Sequence, residues 1–554
     1  MIDGIDLSRI QDEQTRELIV RLMNLIEQLA AENRDLRAKN QELRDEINRL
    51  KGEQGKPNIK GNKRKPDAPQ NHSSEKERRS RPLERGKKSK KAQIKIDREE
   101  VVKVSAEALP KDAEFKGYVD VVVQDIVLKT DNVLFHKEKY YSASERQSYV
   151  AEMPPGYSGQ FGPGVQALAL VMYYGVQASE PKIHEFFANV GVEISEGQVS
   201  NLLIKKQAEF HQESAEVYDS GLRSSPWQHT DDTLTRVNGE NQHCHVVCNP
   251  VYTAYHTRPT KERLSVLDVL RQGRPRIFRL NDEALGYVGN LNWSKKAWRG
   301  LLNWAQKNGE QDLEEGNFLA ELDAALPKLS AQCRKALIDA AAIAAYHAET
   351  AFAVIQALIC DDAPQFNWLT RECLLCWVHE GRPYKKLIPV IPLHRDLLAD
   401  FLKRFWKFYA QLLLYRQSPS PEKSQILEAE FDRLFATRTG YDELDQRIAK
   451  SQAKKANLLL VLKHPELPLH NNPAELGARQ RVRKRDVSFG PRTQDGVRAW
   501  DTFATLAATT KKLGLSFYCY IFDRISEAHQ IVPLAHLVEN AAKQLNLGWS
   551  WAPG

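Results

Sequence analysis

Cysteine is scarce and unevenly placed in this 554-residue chain, with seven in all and none before Cys244. An odd count that leaves the first 243 residues empty excludes a disulfide framework and fits a reducing compartment. Long apolar runs are missing too: none reaches the roughly 18 residues that a membrane span needs. The amino-terminal stretch MIDGIDLSRIQDEQ lacks a basic region leading into an apolar one, so no secretory signal is expected. These absences point to the cytoplasm and to no membrane partner. A basic surplus is also absent from most of the chain. The net charge is +7, yet residues 51–91 alone hold fifteen Lys/Arg against five Asp/Glu, which leaves the remainder at −3. The length and the 42% apolar content suit three or four structural units with a sizeable core.

Within residues 15–50 apolar side chains repeat every seven positions. Leu22, Leu29, Leu36, Leu43 and Leu50 share one heptad position, and Ile19, Ile26, Asn33, Asn40 and Ile47 share the other. Leucine at d with isoleucine and asparagine at a predicts a parallel dimeric coiled coil whose register the asparagines specify. The alternative is one long helix packed on its own domain. Residues 51–96, rich in Lys, Arg, Gly, Pro and Ser, cannot bury enough apolar surface to fold alone. They read as a disordered basic arm that would contact nucleic-acid phosphates without reading sequence.

Residues 97–153 contain two strand-like runs, YVDVVVQDIVLKT and NVLFHKEKYYSA, with Asp131-Asn132 as a turn between them, which predicts a small antiparallel β module. Residues 160–222 read as a helical module. Its last part, KIHEFFANVGVEISEGQVSNLLIKK, fits a helix, a turn at Gly191 and a second helix capped by Ser195. On that second helix Gln198, Asn201 and Lys205 are candidates for contacting DNA; the alternative is a helical hairpin packed on the rest of the chain.

Beyond Trp227 the pattern becomes β-rich: QHTDDTLTRVNGENQHCHVVCNPVYTAYHT holds three short runs broken at Asn238-Gly239 and Asn249-Pro250, followed by the helix KERLSVLDVLRQG. Three antiparallel strands and a crossover helix are how a ribonuclease H-like domain begins, and an acid midway along the first strand is where such folds hold a metal. Asp231 and Asp232 are the candidates, and neighbours on a strand face opposite ways, so one of them serves. A later strand, AVIQALICDDAPQF, ends in Asp361 and Asp362. Further on, PLHNNPAELGARQRVRKR opens a helix with Asn472 as cap, Pro473 first and Glu475 third. At that position Glu475 either completes a capping box or serves a site.

The segments TDDTLTRVNG, LICDDAPQF with CWVHEGRPYKKL, and LHNNPAELGARQ with VSFGPRTQDGVRAWDTFATLAATTKKLG resemble, in this order, the transposases of the insertion sequence 66 family. The stretch from LPKDAEFKGYVDVVVQDIV to PPGYSGQFGPGVQALALVMYYG resembles that family as well. The resemblance implies a DDE transposase, in which two aspartates and a glutamate on a ribonuclease H-like sheet hold two divalent ions, magnesium or manganese in its place. The matching positions are Asp231, Asp361 and Glu475, the implied catalytic and metal-holding residues. His379 matches a family histidine and is a candidate phosphate contact. Arg479, Arg481, Arg483, Lys484 and Arg485 follow Glu475 and are candidates for holding DNA. The implied partners are DNA, a second copy of the chain and small accessory proteins of the same element, in a bacterial or archaeal cytoplasm at the nucleoid.

The expected fold class is therefore multidomain α+β. A coiled coil, a small β module and a helical module precede a ribonuclease H-like α/β catalytic domain over residues 223–510, which carries a helical insertion at about 283–352; a helical segment follows at 511–554. Family members typically carry a cysteine-rich zinc motif ahead of the helical module, but the first 243 residues here have no cysteine. No zinc is expected, because Cys373-x-x-Cys376-x-x-His379 lacks an obvious fourth ligand and a strand would turn Cys373 away. Asp282, at the end of the strand-like RIFRLND, competes with Asp361 for the second metal-holding position. Two other functions remain open: a non-catalytic dimeric DNA-binding protein, and a nuclease on the same fold that hydrolyses DNA without joining it.

Overall fold

The computed structural model describes residues 10–51, 94–105, 107, 110, 113–157 and 159–551, so nearly all of the basic arm lies outside the described residues. Helix α1 (Glu13–Leu50) covers the heptad segment without a break. Its face bearing Met23 and Glu27 is buried against the body of the protein. There the Glu27 carboxylate accepts the backbone N–H groups of Val390 at 2.9 Å and Ile391 at 2.8 Å. The heptad leucines Leu22, Leu29, Leu36 and Leu43 lie on another face and are exposed.

The expected β module shrinks to one hairpin, β1 (Lys139–Ser142) against β2 (Gln147–Val150). Residues 117–138 form no ladder, and Val119, Val123 and Val127 stand exposed. Alternating valines fit a pleated surface, but a strand also needs a neighbour for its backbone N–H and C=O groups, and the described residues bring none there. The helical module comprises α2 (Pro163–Leu170) running into a π-helical turn at Val171–Gly175, then α3 (Glu180–Asn189), α4 (Glu196–Ile204) and α5 (Ala208–Arg223). The chain turns at Gly191 with φ 79°, and Ser195 caps α4 in a reciprocal box with Gln198.

Strands β3 (Trp227–Val237), β4 (Glu240–Asn249) and β5 (Tyr252–Arg258) form the expected meander. Asn238 and Gly239 both take positive φ, 49° and 82°, as a tight two-residue hairpin turn demands. After α6 (Arg263–Leu270) the chain leaves the sheet. It forms β6 (Ile277–Phe278), α7 (Asp282–Val288), α8 (Lys295–Asn308), β7 (Leu313–Glu314), α9 (Glu315–Ala325) and α10 (Ala331–His347), with β6 pairing only with β7. Trp304 is buried here and the rings of Trp293 and Trp298 meet at 5.7 Å, so these tryptophans pack helices. The chain returns as β8 (Ala357–Cys360) and β9 (Glu372–Leu375), giving the order β5-β4-β3-β8-β9 with β3, β8 and β9 parallel.

Helices α11 (Trp377–Lys386), α12 (Pro392–Gln417), α13 (Pro421–Phe435), α14 (Asp442–Gln452), α15 (Lys455–Leu458) and α16 (Leu460–Lys463) follow, and then α17 (Asn472–Ser488), α18 (Gln494–Lys512), α19 (Phe517–Ile525) and α20 (Leu534–Leu545). Helix α17 lies on β3 and β4, and Gly477 permits the close approach: a Cβ there would come within 2.8 Å of Val246. Helix α18 covers edge strand β5, where the hydroxyls of Thr505 and Thr509 accept the N–H groups of Tyr255 and Thr253 at 3.1 and 3.3 Å. Helices α19 and α20 pack on α2 and α5, so the carboxy-terminal segment and the helical module build one layer. No helix among the described residues is long and apolar enough to cross a membrane.

Candidate active site

The two central parallel strands set the site. The pairing of β3 with β8 aligns Trp227 with Ala357 and His229 with Ile359, and the same register carried two residues on puts Asp361 across from Asp231. Helix α17 brings Glu475 to the same end of β3. Burial, opposed by the Asp232 N–H that donates to Asp231 Oδ1 at 2.9 Å, and the charges of Asp361, Asp232 and Glu475 together push the Asp231 carboxyl up to about 7. Burial raises the Asp361 carboxyl as well, with His379 pulling it down. Among the described residues neither aspartate takes part in an ion pair.

The neighbouring acids are already engaged. Asp362 pairs with Lys454 at 2.6 Å, and Lys454 also holds Glu380 at 3.0 Å. Asp232 accepts from Gln365 Nε2 at 2.6 Å. Each Asp-Asp pair thus divides into one partnered carboxylate and one left facing the other acids.

Glu475 is not a capping-box glutamate. The helix cap is Asn471, one residue earlier than the sequence suggested, and its side chain makes no bond to the helix amides. Instead Asn471 Nδ2 donates to Thr230 O at 2.7 Å, and its Oδ1 lies 3.0 Å from Nδ1 of the buried His229. Its backbone N–H donates to Cys376 Sγ at 3.3 Å, and its carbonyl accepts the Glu475 N–H at 3.1 Å. One buried residue therefore ties β3, the start of α11 and the start of α17. The Glu475 carboxylate is met by Arg382 Nη2 at 3.2 Å and by His379 Nδ1 at 3.4 Å, both from α11.

Among the described residues Cys376, His379 and Glu475 form a group whose donor atoms all lie within 4.8 Å of one another. Cys373 stands apart, its sulfur 3.4 Å from that of Cys360, so the Cys-x-x-Cys-x-x-His reading does not assemble. Asp282 sits in the first turn of α7, outside the five-stranded sheet and beside a cavity of about 600 Å³ in the inserted helices. That strand ends after two residues and pairs outside the five-stranded sheet, so Asp282 does not stand beside Asp231 on it.

The basic residues after Glu475 divide. Arg479 and Arg483 are exposed and have no partner among the described residues. Arg481 and Lys484 point inward. Arg481 pairs with Asp501 at 3.2 Å and donates to Thr257 at 2.7 Å, while Lys484 donates to Ala178 O at 3.1 Å over the ring of Tyr173. Burial lowers Lys484 to about 7. Arg485 binds Leu234 O at 2.5 Å. Arg481 and Lys484 are thus turned into the fold, contrary to the expectation that they face DNA, and the half-buried Arg485 is engaged with the β3 backbone. On α4, Gln198 is committed to Ser195 and to Gln160, and Lys205 pairs with Asp495 at 3.2 Å; Asn201 is exposed.

Sequence reasoning missed Asn471, Arg382, Lys454 and Gln365. Arg382 was within reach, since it stands three residues after His379 on one helix face. Asn471 lay inside the motif already singled out.

A sequence model of the family described as "Transposase IS66 family" matches residues 158–279 and 342–499. The unmatched stretch between them holds the inserted helices α7–α9 and part of α10. A curated relative, the uncharacterized protein y4jO of Sinorhizobium fredii (strain NBRC 101917 / NGR234), is 32% identical over 324 residues, which cover 58% of this chain and 98% of that protein.

Proposed function

The chain belongs to the transposase IS66 family, and on that premise we propose that it is a DDE-type DNA transposase with Asp231, Asp361 and Glu475 as its metal-holding acids. The observation that carries the reading is the convergence of these three carboxylates from two adjacent parallel strands and one helix, with Asp231 and Asp361 in no ion pair among the described residues. The strand order, with three antiparallel strands followed by two parallel ones and α17 across them, supports a ribonuclease H-like domain. An all-oxygen donor set of aspartate and glutamate fits magnesium or manganese, and a divalent ion would offset both the burial and the neighbouring carboxylates that raise Asp231. Bound there, such ions would activate an attacking water or 3′-hydroxyl and stabilise the oxygen that leaves phosphorus.

The protein's own side chains position and bind. Asn471 fixes Glu475 relative to Asp231, His379 and Arg382 steady the Glu475 carboxylate, and Arg479 and Arg483 offer guanidinium groups to DNA phosphates. The exposed heptad face of α1 supports pairing with a second copy of the chain, while its opposite face stays docked through Glu27. Charged residues in place of Leu29 and Leu36 should then yield a monomer in sedimentation; an unchanged dimer would refute this pairing. For the chemistry, Asp231→Asn, Asp361→Asn and Glu475→Gln should each abolish DNA cleavage and leave binding nearly intact. Loss of binding in all three would count against the assignment.

A further inference from the structure

Phe489 ends α17 in the left-handed region, φ 59°, at a position that helices usually give to glycine or asparagine. A bulky aromatic rarely takes that conformation, and where one does the strain marks a constraint worth explaining. The residue is 84% exposed. The turn that presents it is firmly held. Gly490, φ 107°, lies so close to the β3–β4 hairpin that a Cβ would collide with the Arg236 carbonyl oxygen, and Pro491 O accepts the Asn238 N–H at 2.9 Å.

The surroundings point to a polyanion. Arg479 and Arg483 follow Glu475 at four-residue steps on one helix face, and Arg236 and Arg492 flank the turn; all four are exposed and have no side-chain partner among the described residues. At 1.5 Å per residue, Phe489 lies roughly 20 Å along the helix from Glu475, about six base steps of duplex. A solvent-facing ring on a firmly held turn, with exposed arginines on the same helix and beside the turn, has the form of the apolar wedges that unstack bases.

Resting on the transposase reading above, we propose that Phe489 stacks on a base of the bound element end and unpairs it, about six steps from the scissile phosphate, while Arg479 and Arg483 hold the phosphates between.

The test uses the full-length protein without divalent metal and DNA of the element's own end, with 2-aminopurine placed singly at each of the first ten positions beside the cleavage point. Fluorescence should rise at one position with the wild type, and Phe489→Ala should remove the rise. With metal added, Phe489→Ala should cleave paired DNA about ten- to a hundredfold more slowly, the range expected from one missing stack. A mismatch at that position should restore its rate, and Phe489→Gly, which relieves the backbone strain, should behave as the alanine variant does. An unchanged fluorescence rise in Phe489→Ala would overturn the proposal. So would conversion of the dimer to monomer by that substitution, which would assign the ring to a subunit contact. A rise that depends on Phe489 in a protein that never cleaves would sink the catalytic reading and leave the wedge standing.

Discussion

Asn471 Nδ2 donates to the carbonyl oxygen of Thr230 at 2.7 Å, which joins the residue before Asp231 to the residue four places before Glu475. Two acids from distant parts of the chain are thereby held by one buried amide, and the same residue reaches His229 and Cys376. Asn471→Ala strands a buried carbonyl and a buried imidazole, so it should cost about 1–3 kcal/mol in denaturant unfolding. A shift of about 1 Å between the acids is enough to slow the chemistry about a hundredfold. Cleavage by Asn471→Ala should therefore fall on that order while DNA affinity holds. Full cleavage activity in this variant would show that Asn471 does not position the acids.

The two kinds of arginine on α17 should part company on substitution. Alanine at both Arg479 and Arg483 should leave the melting temperature unchanged, weaken DNA binding and lower the slope of log K against log salt by about 0.9 for each phosphate that is no longer neutralised. Arg481→Ala should instead destabilise the fold by about 3–5 kcal/mol, because Asp501 would remain in the interior without its partner. Equal effects of Arg481 and Arg483 on the salt slope would contradict this division.

The sheet was legible because alternation and the Asn238-Gly239 turn both act locally. The division of the basic residues was harder to read, though a signal existed: Ala474, Gly477, Ala478, Arg481 and Lys484 follow helical spacing, and all five are buried. The small residues at its start mark the face that meets the sheet, and two cations continue it. The runs at 117–138 misled for the opposite reason. Their valines alternate as a strand's do, but pairing depends on a partner that no local pattern reveals.

Lys484 gives the fold a pH dependence with a definite sign. Burial lowers its folded pKa to about 7, whereas an unfolded lysine titrates near 10.4. Between those values the unfolded chain binds more protons, so this residue makes stability rise with pH across that window. Lys484→Met removes the burden. Its gain, on the order of a few kcal/mol at most, should be largest below pH 7 and shrink toward pH 10, with DNA affinity unchanged. Melting curves across that range check it, and a gain that does not vary with pH would contradict it.

The most direct measurement is cleavage of labelled DNA carrying the element's own ends, with magnesium or manganese, by the wild type, Asp361→Asn and Asp282→Asn. Asp361 follows the last residue of β8, in line with Asp231 if the β3–β8 register is carried on, and Asp282 opens a helix in the insertion. Metal-dependent nicking is expected of the wild type and Asp282→Asn and none of Asp361→Asn. Nicking retained by Asp361→Asn, or lost only in Asp282→Asn, would contradict this expectation.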